Sequence, residues 1–245
     1  RVLVIDNGIF GQGFADFVSM YGGEPVVFKG DRTRGIDIKE LEAFLEKDHD
    51  FKYATLVHCD TPSGVLNPID EICPLLKGYN IITVVDSVAS MIGEPLFTDK
   101  WQVDIALGAS QKCISAPPGL TFLSISQDAW EAMETRNAPI ASYYCNLLIW
   151  KDYYKNQWFP YTMPISDING LRVAVDNLLE EGLEHVQRRH EEVGTYVRER
   201  VQEEGLELYL EDGFSNTVTA IKVPAYLEGT KPLLEYIRKQ HNIMI

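Results

Sequence analysis

The sequence predicts an α/β fold, in which a large domain built on a mostly parallel β-sheet is followed by a smaller α+β domain. Two observations lead to this prediction. Short apolar segments recur through the first 125 residues without apolar–polar alternation, as expected of strands that are buried on both faces of a parallel sheet. Most of them precede segments with apolar residues at helical spacing, and strand–helix alternation is typical of layered α/β domains.

The predicted elements of the large domain follow in chain order. The strands are "VLVI" (2–5), "PVVF" (25–28), "YATLVH" (53–58), "IITVVD" (81–86), "VDIALG" (103–108) and "LTFLSI" (120–125). The helical patterns after the first four strands are "FADFVSMYG" (14–22), "DIKELEAFLEK" (37–47), "NPIDEICPLLKGY" (67–79) and "SVASMIG" (87–93). Because ligands of such sheets bind beyond the carboxyl ends of the strands, the residues at those ends are the first candidates for a site.

After residue 165 the pattern changes to a long, charged helical region. Its break near Gly182 predicts two long helices, and we then expect a strand at 216–224, a helix at 231–240 and a strand at 243–245. We therefore divide the chain into a large domain (1–165), connecting helices (166–205) and the start of a small domain (206–245). The sequence opens on a strand and stops in an apolar segment, so we expect the interior of a longer chain.

Composition excludes several classes of protein. The 36 acidic residues outnumber the 22 lysines and arginines, and the net charge of −14 argues against nucleic acid or an anionic membrane as a partner. No apolar segment approaches the roughly 18 residues of a membrane span. The four cysteines lie far apart without a C-x-x-C motif, which predicts reduced thiols and a cytoplasmic protein. No His, Cys and carboxylate set has metal-ligand spacing, so we expect no metal.

Two residues at predicted strand ends carry the strongest chemical signal. Asp86 ends "IITVVD", and Lys112 follows "VDIALG" in what we expect to be a tight, poorly hydrated turn. Taken singly, Asp86 reads as the cap of a helix at 87–93 and Lys112 as a solvated or ion-paired lysine. Taken together, they are the pair that pyridoxal phosphate (PLP) requires, a carboxylate for the ring nitrogen and an amine for the aldehyde.

Three further segments at strand ends allow more than one interpretation. "CDTPSG" (59–64) offers hydroxyl groups or is a simple turn. "NGIFGQG" (7–13) departs from the dinucleotide motif G-x-G-x-x-G, and its Phe10 is either a stacking aromatic or a packed side chain. His58 has no visible partner and is expected to be a packed histidine rather than a proton carrier.

The combination of segments resembles the small-amino-acid branch of the class V, fold type I aminotransferases, which use PLP. The resemblance rests on "VLVIDNGIFGQGF", "LVHCDTPSGVLNPIDEI", "VVDSVASMIGEPL", "VDIALGASQKCISAPPGL" and "FPYTMPISDINGLRVAVDNLLEEG", in the order and spacing of the family. It implies transamination of an alanine- or serine-type amino acid with pyruvate or glyoxylate. It also implies a homodimer with shared active sites.

The resemblance assigns a role to seven residues. Lys112 matches the Schiff-base lysine, and Asp86 the carboxylate that pairs with the pyridine nitrogen. The remaining matches are Val88 and Phe10 on the two ring faces, Gln111 near the phenolic oxygen, Thr61 in the acidic turn, and Thr162 at the phosphate of the neighbouring subunit. The phosphate-binding turn is expected before Arg1 and the substrate-carboxylate arginine after Ile245.

Three alternatives remain. Phe159 stands where many relatives have a tyrosine that bonds the cofactor phosphate, and Tyr161 is the candidate that would replace it. The segments "GQGF", "CDTPSG" and "APPGLT" resemble pyridoxamine–pyruvate transaminases, whose substrate is the unphosphorylated vitamer. Cysteine desulfurases and lyases usually carry a histidine before the lysine, whereas this chain has Gln111, and Cys113 follows the lysine. A catalytically inactive binding protein is disfavoured because the lysine, the aspartate and the aromatic residue are all present.

Overall fold

A computed structural model of the chain describes residues 1–227 and 229–244. Its strands are β1 Val2–Asp6, β2 Pro25–Lys29, β3 Tyr53–Val57, β4 Cys59–Asp60, β5 Val65–Leu66, β6 Ile82–Asp86, β7 Ile105–Ala109 and β8 Thr121–Ile125. Its α-helices are α1 Ile9–Met20, α2 Ile38–Leu45, α3 Ile69–Gly78, α4 Gln127–Glu134, α5 Ile165–Glu181, α6 Leu183–Glu203 and α7 Thr230–His241.

Six of the strands form one sheet in the order β2-β1-β3-β6-β7-β8. All neighbouring pairs are parallel except β7 and β8, which run antiparallel. The predicted mostly parallel α/β fold is therefore confirmed, and each of the six predicted strands is present with shifts of one or two residues at its ends. Strands β4 and β5 pair separately as a short antiparallel hairpin directly after β3.

The main hydrophobic core lies between one face of the sheet and helices α2 and α3. Leu3, Leu56 and Val85 point from the strands into this core, where Leu41 and Leu76 meet them, and all five are fully buried. Helix α2 begins there because the Asp37 carboxylate accepts hydrogen bonds from its first free amides. Two smaller clusters lie elsewhere: α1 packs on Val2 and Val4 of β1, and α5 packs with Phe122 of β8 and with Ile114 and Ala116 of the loop after β7.

The two long helices predicted around Gly182 are confirmed as α5 and α6, and the helix predicted at 231–240 is confirmed as α7. None of the helices in the described part of the chain is both long enough and apolar enough to cross a membrane. The division into domains at residues 165 and 205 stays a prediction.

Three predicted elements were wrong. Residues 87–93 form turns rather than a helix, because Ile92 takes the left-handed conformation (φ 78°), which a right-handed helix cannot contain. Residues 216–224 form no strand, since their β-pairing is limited to a single bridge, Ile221 with Leu208. Residues 243 and 244 are also irregular, and residue 245 of that predicted strand lies outside the described residues.

Candidate active site

The carboxyl ends of three neighbouring parallel strands, β3, β6 and β7, meet at one edge of the sheet. Asp86, the last residue of β6, pairs with Val57 of β3 on one side and with Leu107 of β7 on the other. Lys112 follows three residues after the end of β7, and Thr61 lies in the β4–β5 hairpin after β3. The fold thus brings residues that are far apart in sequence to the edge where ligands of α/β sheets bind.

Asp86 is half-buried, and its Oδ1 accepts a hydrogen bond of 2.9 Å from the Val88 amide. No helix follows, so this bond closes a turn and the helix-cap interpretation was wrong. Burial raises the pKa of Asp86, and the charge of Asp60 adds to that rise, whereas the Val88 amide and the charge of Lys112 oppose it. A partly desolvated carboxylate is stabilised by a cationic partner, and the Lys112 charge is the one that acts on it.

Lys112 lies in a loop that Ser110 closes. The buried Ser110 hydroxyl donates to the Pro117 carbonyl at 2.6 Å and accepts from the Leu120 amide at 3.3 Å. The Lys112 side chain is exposed, so the expectation of a poorly hydrated turn was wrong in this part of the chain. The reason is that the lysine lies beyond the strand end, on the open side of the loop, while Ser110 and Ile114 take the buried positions.

The space between Asp86 and Lys112 has the chemistry that PLP requires. Among residues 1–227 and 229–244, Asp86 Oδ2 and Lys112 Nζ make no hydrogen bond, and the two residues form no ion pair with each other. The two residues therefore supply one half-buried carboxylate oxygen and one amine that are free of protein hydrogen bonds in the described part of the chain. A cofactor with a basic ring nitrogen and an aldehyde fits this donor set.

Phe10 lies in the first turn of α1, immediately after β1. Its side chain is 49% exposed, and its amide donates to Asp60 Oδ1 at 3.0 Å. Asp60 is fully buried and also accepts from the Ser63 hydroxyl at 3.0 Å. Asp60 thus holds the turn after β1 against the β4–β5 hairpin and leaves the Phe10 ring free to contact a ligand.

The other predicted site residues differ in how they are placed. Val88 is half-buried two residues after Asp86, Gln111 is exposed beside Lys112, and Thr61 is half-buried in the hairpin. Thr162 is exposed before α5, and among the described residues it shares no hydrogen bond with the other six. Six of the seven residues therefore lie at or shortly after the carboxyl ends of the parallel strands β1, β6 and β7 or in the β4–β5 hairpin, and Thr162 follows none of them.

The hydroxyl of Tyr161, the residue considered as a substitute at the phosphate, is already engaged. It accepts from Trp150 Nε1 at 3.1 Å and donates to the Tyr144 carbonyl at 3.3 Å, and its ring stacks on Tyr144. Phe159, two residues earlier, is exposed and has no hydroxyl. Neither residue offers a free hydroxyl group to a phosphate within this chain.

Sequence reasoning missed several residues that support the site, namely Asp60, Ser110 and the buried pair Asn7 and Asn67. The two asparagines exchange side-chain hydrogen bonds of 2.8 and 3.0 Å and join the turn after β1 to the segment before α3. Each of the four is a polar residue within a few positions of a strand end, which was the available signal. The pattern did not reveal their partners, which lie up to 60 residues away.

Comparisons with known proteins agree on one family. The model of the class-V aminotransferases matches residues 15–245. An uncharacterized aminotransferase of Methanocaldococcus jannaschii is 36% identical over 100% of this chain and 64% of its own length. The pyridoxamine–pyruvate transaminase of Mesorhizobium japonicum is 31% identical over 99% of this chain and 62% of its own.

A solved structure gives the same result for the fold. The alanine–glyoxylate aminotransferase of Nostoc superposes with a TM-score of 0.94 at 28% identity, covering 99% of this chain and 64% of that one. The chain thus spans between 62% and 64% of the length of these three proteins.

Proposed function

Because the chain belongs to the class-V aminotransferase family, whose members depend on PLP, we propose that this protein transfers the amino group of a small amino acid, of the alanine or serine type, to pyruvate or glyoxylate. The observation that carries the proposal is the arrangement of Asp86 and Lys112. Asp86 is the last residue of β6 and Lys112 follows the end of the adjacent β7, with one carboxylate oxygen and one amine free of protein partners in the described residues.

Bound PLP would supply an electron sink through its protonated ring nitrogen. Asp86 would accept the hydrogen bond of that nitrogen, and its partial burial strengthens such a charge-assisted contact. Phe10 and Val88 would pack on the two faces of the ring. Gln111 would donate to the phenolic oxygen, and the Thr61 hydroxyl would contact the cofactor from the β4–β5 hairpin.

Lys112 has two tasks in this proposal. Its amine would hold the aldehyde end of the cofactor, and the same amine, once the substrate amino group has released it, would serve as the base that takes and returns the proton at the substrate Cα. The open side of the Ser110 loop suits this exchange, because a side chain that moves between two positions needs space that a packed core does not provide.

A homodimer with shared sites belongs to the same proposal. Thr162 is exposed and separate from the other six residues, which supports a role toward the phosphate site of a second copy. A cytoplasmic location stays a prediction.

The two residues expected near the cofactor phosphate, Phe159 and Tyr161, favour a second function. Phe159 has no hydroxyl and that of Tyr161 is engaged with Trp150 and Tyr144. A site with fewer phosphate donors suits the unphosphorylated vitamer, and one relative at 31% identity is named a pyridoxamine–pyruvate transaminase. The alternative is therefore that pyridoxamine is consumed as a substrate together with pyruvate.

One assay separates the two functions. The full-length protein is dialysed exhaustively and supplied either with alanine, glyoxylate and PLP, or with pyridoxamine and pyruvate without PLP. We expect turnover in the first mixture. Turnover in the second mixture alone would establish pyridoxamine–pyruvate transamination, and turnover in neither would contradict both aminotransferase assignments.

A further inference from the structure

Glu94 is a buried carboxylate to which the proposed reaction gives no task. Its side chain is 2% exposed, and it lies eight positions after Asp86, at the end of the loop that also carries Val88. It accepts hydrogen bonds from the Ser215 hydroxyl at 3.0 Å and from Asn216 Nδ2 at 3.2 Å, and from the Asn216 backbone amide. A carboxylate withdrawn from water requires such donors, so Glu94 ties the loop firmly to a segment 121 residues away.

That segment, residues 213–217, touches both loops that border the candidate active site. The Thr217 hydroxyl donates to the Ala89 carbonyl at 2.9 Å, directly after Val88. The Ser215 amide donates to the Gly64 carbonyl at 3.0 Å, in the hairpin that carries Thr61. The segment therefore sets the distance between the loop of Asp86 and the hairpin of Thr61.

The loop between Val88 and Glu94 holds a strained residue. Ile92 has a φ of 78°, a conformation that β-branched residues rarely adopt because the side chain collides with the backbone. Such a conformation persists only where surrounding contacts over-determine it. The bonds from Ser215, Asn216 and Thr217 on either side of Ile92 provide those contacts, so without them we expect the loop to relax.

We propose that Glu94 is a positioning residue for the cofactor-ring site, which holds the loop of Asp86 and Val88 in its binding geometry through Ser215, Asn216 and Thr217. The proposal uses the cofactor of the proposed function as its probe. Asn216 is oriented unambiguously, because its Nδ2 faces Glu94 while its Oδ1 accepts from Arg198 Nη2 at 3.2 Å. Because the orientation of the Asn216 amide is fixed, the carboxylate of residue 94 and the amide of residue 216 can be exchanged as a test.

The test compares Glu94→Gln, Asn216→Asp and the double variant in the full-length protein. Glu94→Gln sets two amide groups against each other, and Asn216→Asp sets a half-buried carboxylate against the buried carboxylate of Glu94. In the double variant the amide of residue 94 donates to the carboxylate of residue 216, which still accepts from Arg198. We expect each single change to weaken PLP binding about tenfold, as the loss of a buried hydrogen-bond partner implies, and the double change to recover most of it.

Two measurements are made on each variant, PLP affinity by absorbance titration and hydrogen exchange of peptides that cover residues 86–94. Exchange should be faster in both single variants and return toward the wild-type rate in the double one. The control is Ile72→Val, a core truncation in α3 that lowers the Tm but lies away from the loop. It should change neither measurement. If Glu94→Gln does not fold, the test uses Thr217→Val in its place, because that variant removes one hydroxyl group of the same hydrogen-bond network.

Wild-type PLP affinity and wild-type exchange in a Glu94→Gln variant whose Tm falls would overturn the proposal, because the role would then be structural only. A double variant that fails to recover would also contradict it. If the wild-type protein itself binds no PLP, the proposed function is contradicted. The proposal for Glu94 is then tested by the hydrogen-exchange rates of residues 86–94 alone.

Discussion

Gly8 lies so close to the Asp60 carboxylate that no side chain fits between them. A Cβ added at Gly8 would fall 2.2 Å from Asp60 Cγ. The backbone of Gly8 is extended and open to any residue, so this contact alone requires the glycine. The closeness allows Asp60 to reach the Phe10 amide and hold the proposed stacking residue.

We expect Gly8→Ala to lower the free energy of unfolding by about 1–3 kcal/mol, as overpacking does in rigid cores. It should also weaken PLP binding, because Asp60 must leave the Phe10 amide. Urea unfolding and an absorbance titration measure the two effects. Gly13→Ala, inside the helix that Gly8 precedes, is the matched control, since a Cβ there meets nothing within 4 Å and should stabilise α1. The cost of Gly8→Ala should largely disappear in an Asp60→Ala background, and additive costs would contradict the contact.

Asp86→Asn tests the carboxylate at the ring nitrogen. The variant keeps a group that accepts from the Val88 amide but loses the charge-assisted bond, which is worth roughly 1.5–3 kcal/mol. Since about 1.4 kcal/mol corresponds to a factor of ten in rate, turnover should fall about tenfold to a few hundredfold. Steady-state kinetics measures it. Turnover equal to the wild type would mean that Asp86 only closes the turn at Val88.

Lys112→Ala should abolish transamination and leave the fold intact, because the side chain is exposed and makes no hydrogen bond in the described part of the chain. Borohydride reduction of the wild-type protein followed by peptide mass spectrometry should place the cofactor on Lys112. A label on a different lysine would refute the assignment.

His58 predicts a pH dependence of stability. It is 3% exposed, its Nδ1 lies 2.9 Å from the Ser90 hydroxyl, and burial lowers its pKa from 6.5 to about 4. Between pH 6.5 and about pH 4, His58 is therefore protonated in the unfolded chain but neutral in the folded protein. The stability contribution is complete above pH 6.5 and is lost as the pH falls toward 4, by about 3 kcal/mol at most.

The measurement is the free energy of unfolding between pH 4 and 7 for the wild type and for His58→Asn, which keeps an amide near the Nδ1 position. The wild type should lose more stability than the variant as the pH falls through this range. Equal slopes in the two proteins would show that His58 is not responsible.

The strands and most helices could be predicted because their signals are local. Each strand of the sheet is a continuous apolar segment, and each of α1–α3 and α5–α7 has an apolar stripe of helical period. Asp86 and Lys112 could be selected for the same reason, since a polar residue just after a buried strand is visible in the sequence alone. Parallel strands then bring these ends together without further information.

The segments that failed depend on partners that are distant in sequence. Residues 87–93 have a helical pattern, but Glu94 finds its donors at Ser215 and Asn216, and those bonds hold Ile92 in a left-handed conformation. Residues 216–224 have a strand pattern, yet Thr217 bonds to Ala89 and a single bridge, Ile221 with Leu208, pairs the region with a neighbour. A strand exists only where an adjacent edge accepts its hydrogen bonds, which no local pattern encodes.

By itself, the sequence determined the six strands of the main sheet and the charged residues that stand at their ends. These properties depend on the side chains of a few consecutive residues and on the burial that each prefers. Only the tertiary structure decided how the loops after these strands are fixed in place. The Asp60 carboxylate fixes the turn after β1 through its contacts with Gly8 and Phe10, and Glu94 fixes the loop after β6 through its bonds to residues 213–217. The physical reason is that a buried carboxylate is stable only beside its donors, and those donors come from parts of the chain that meet only after folding.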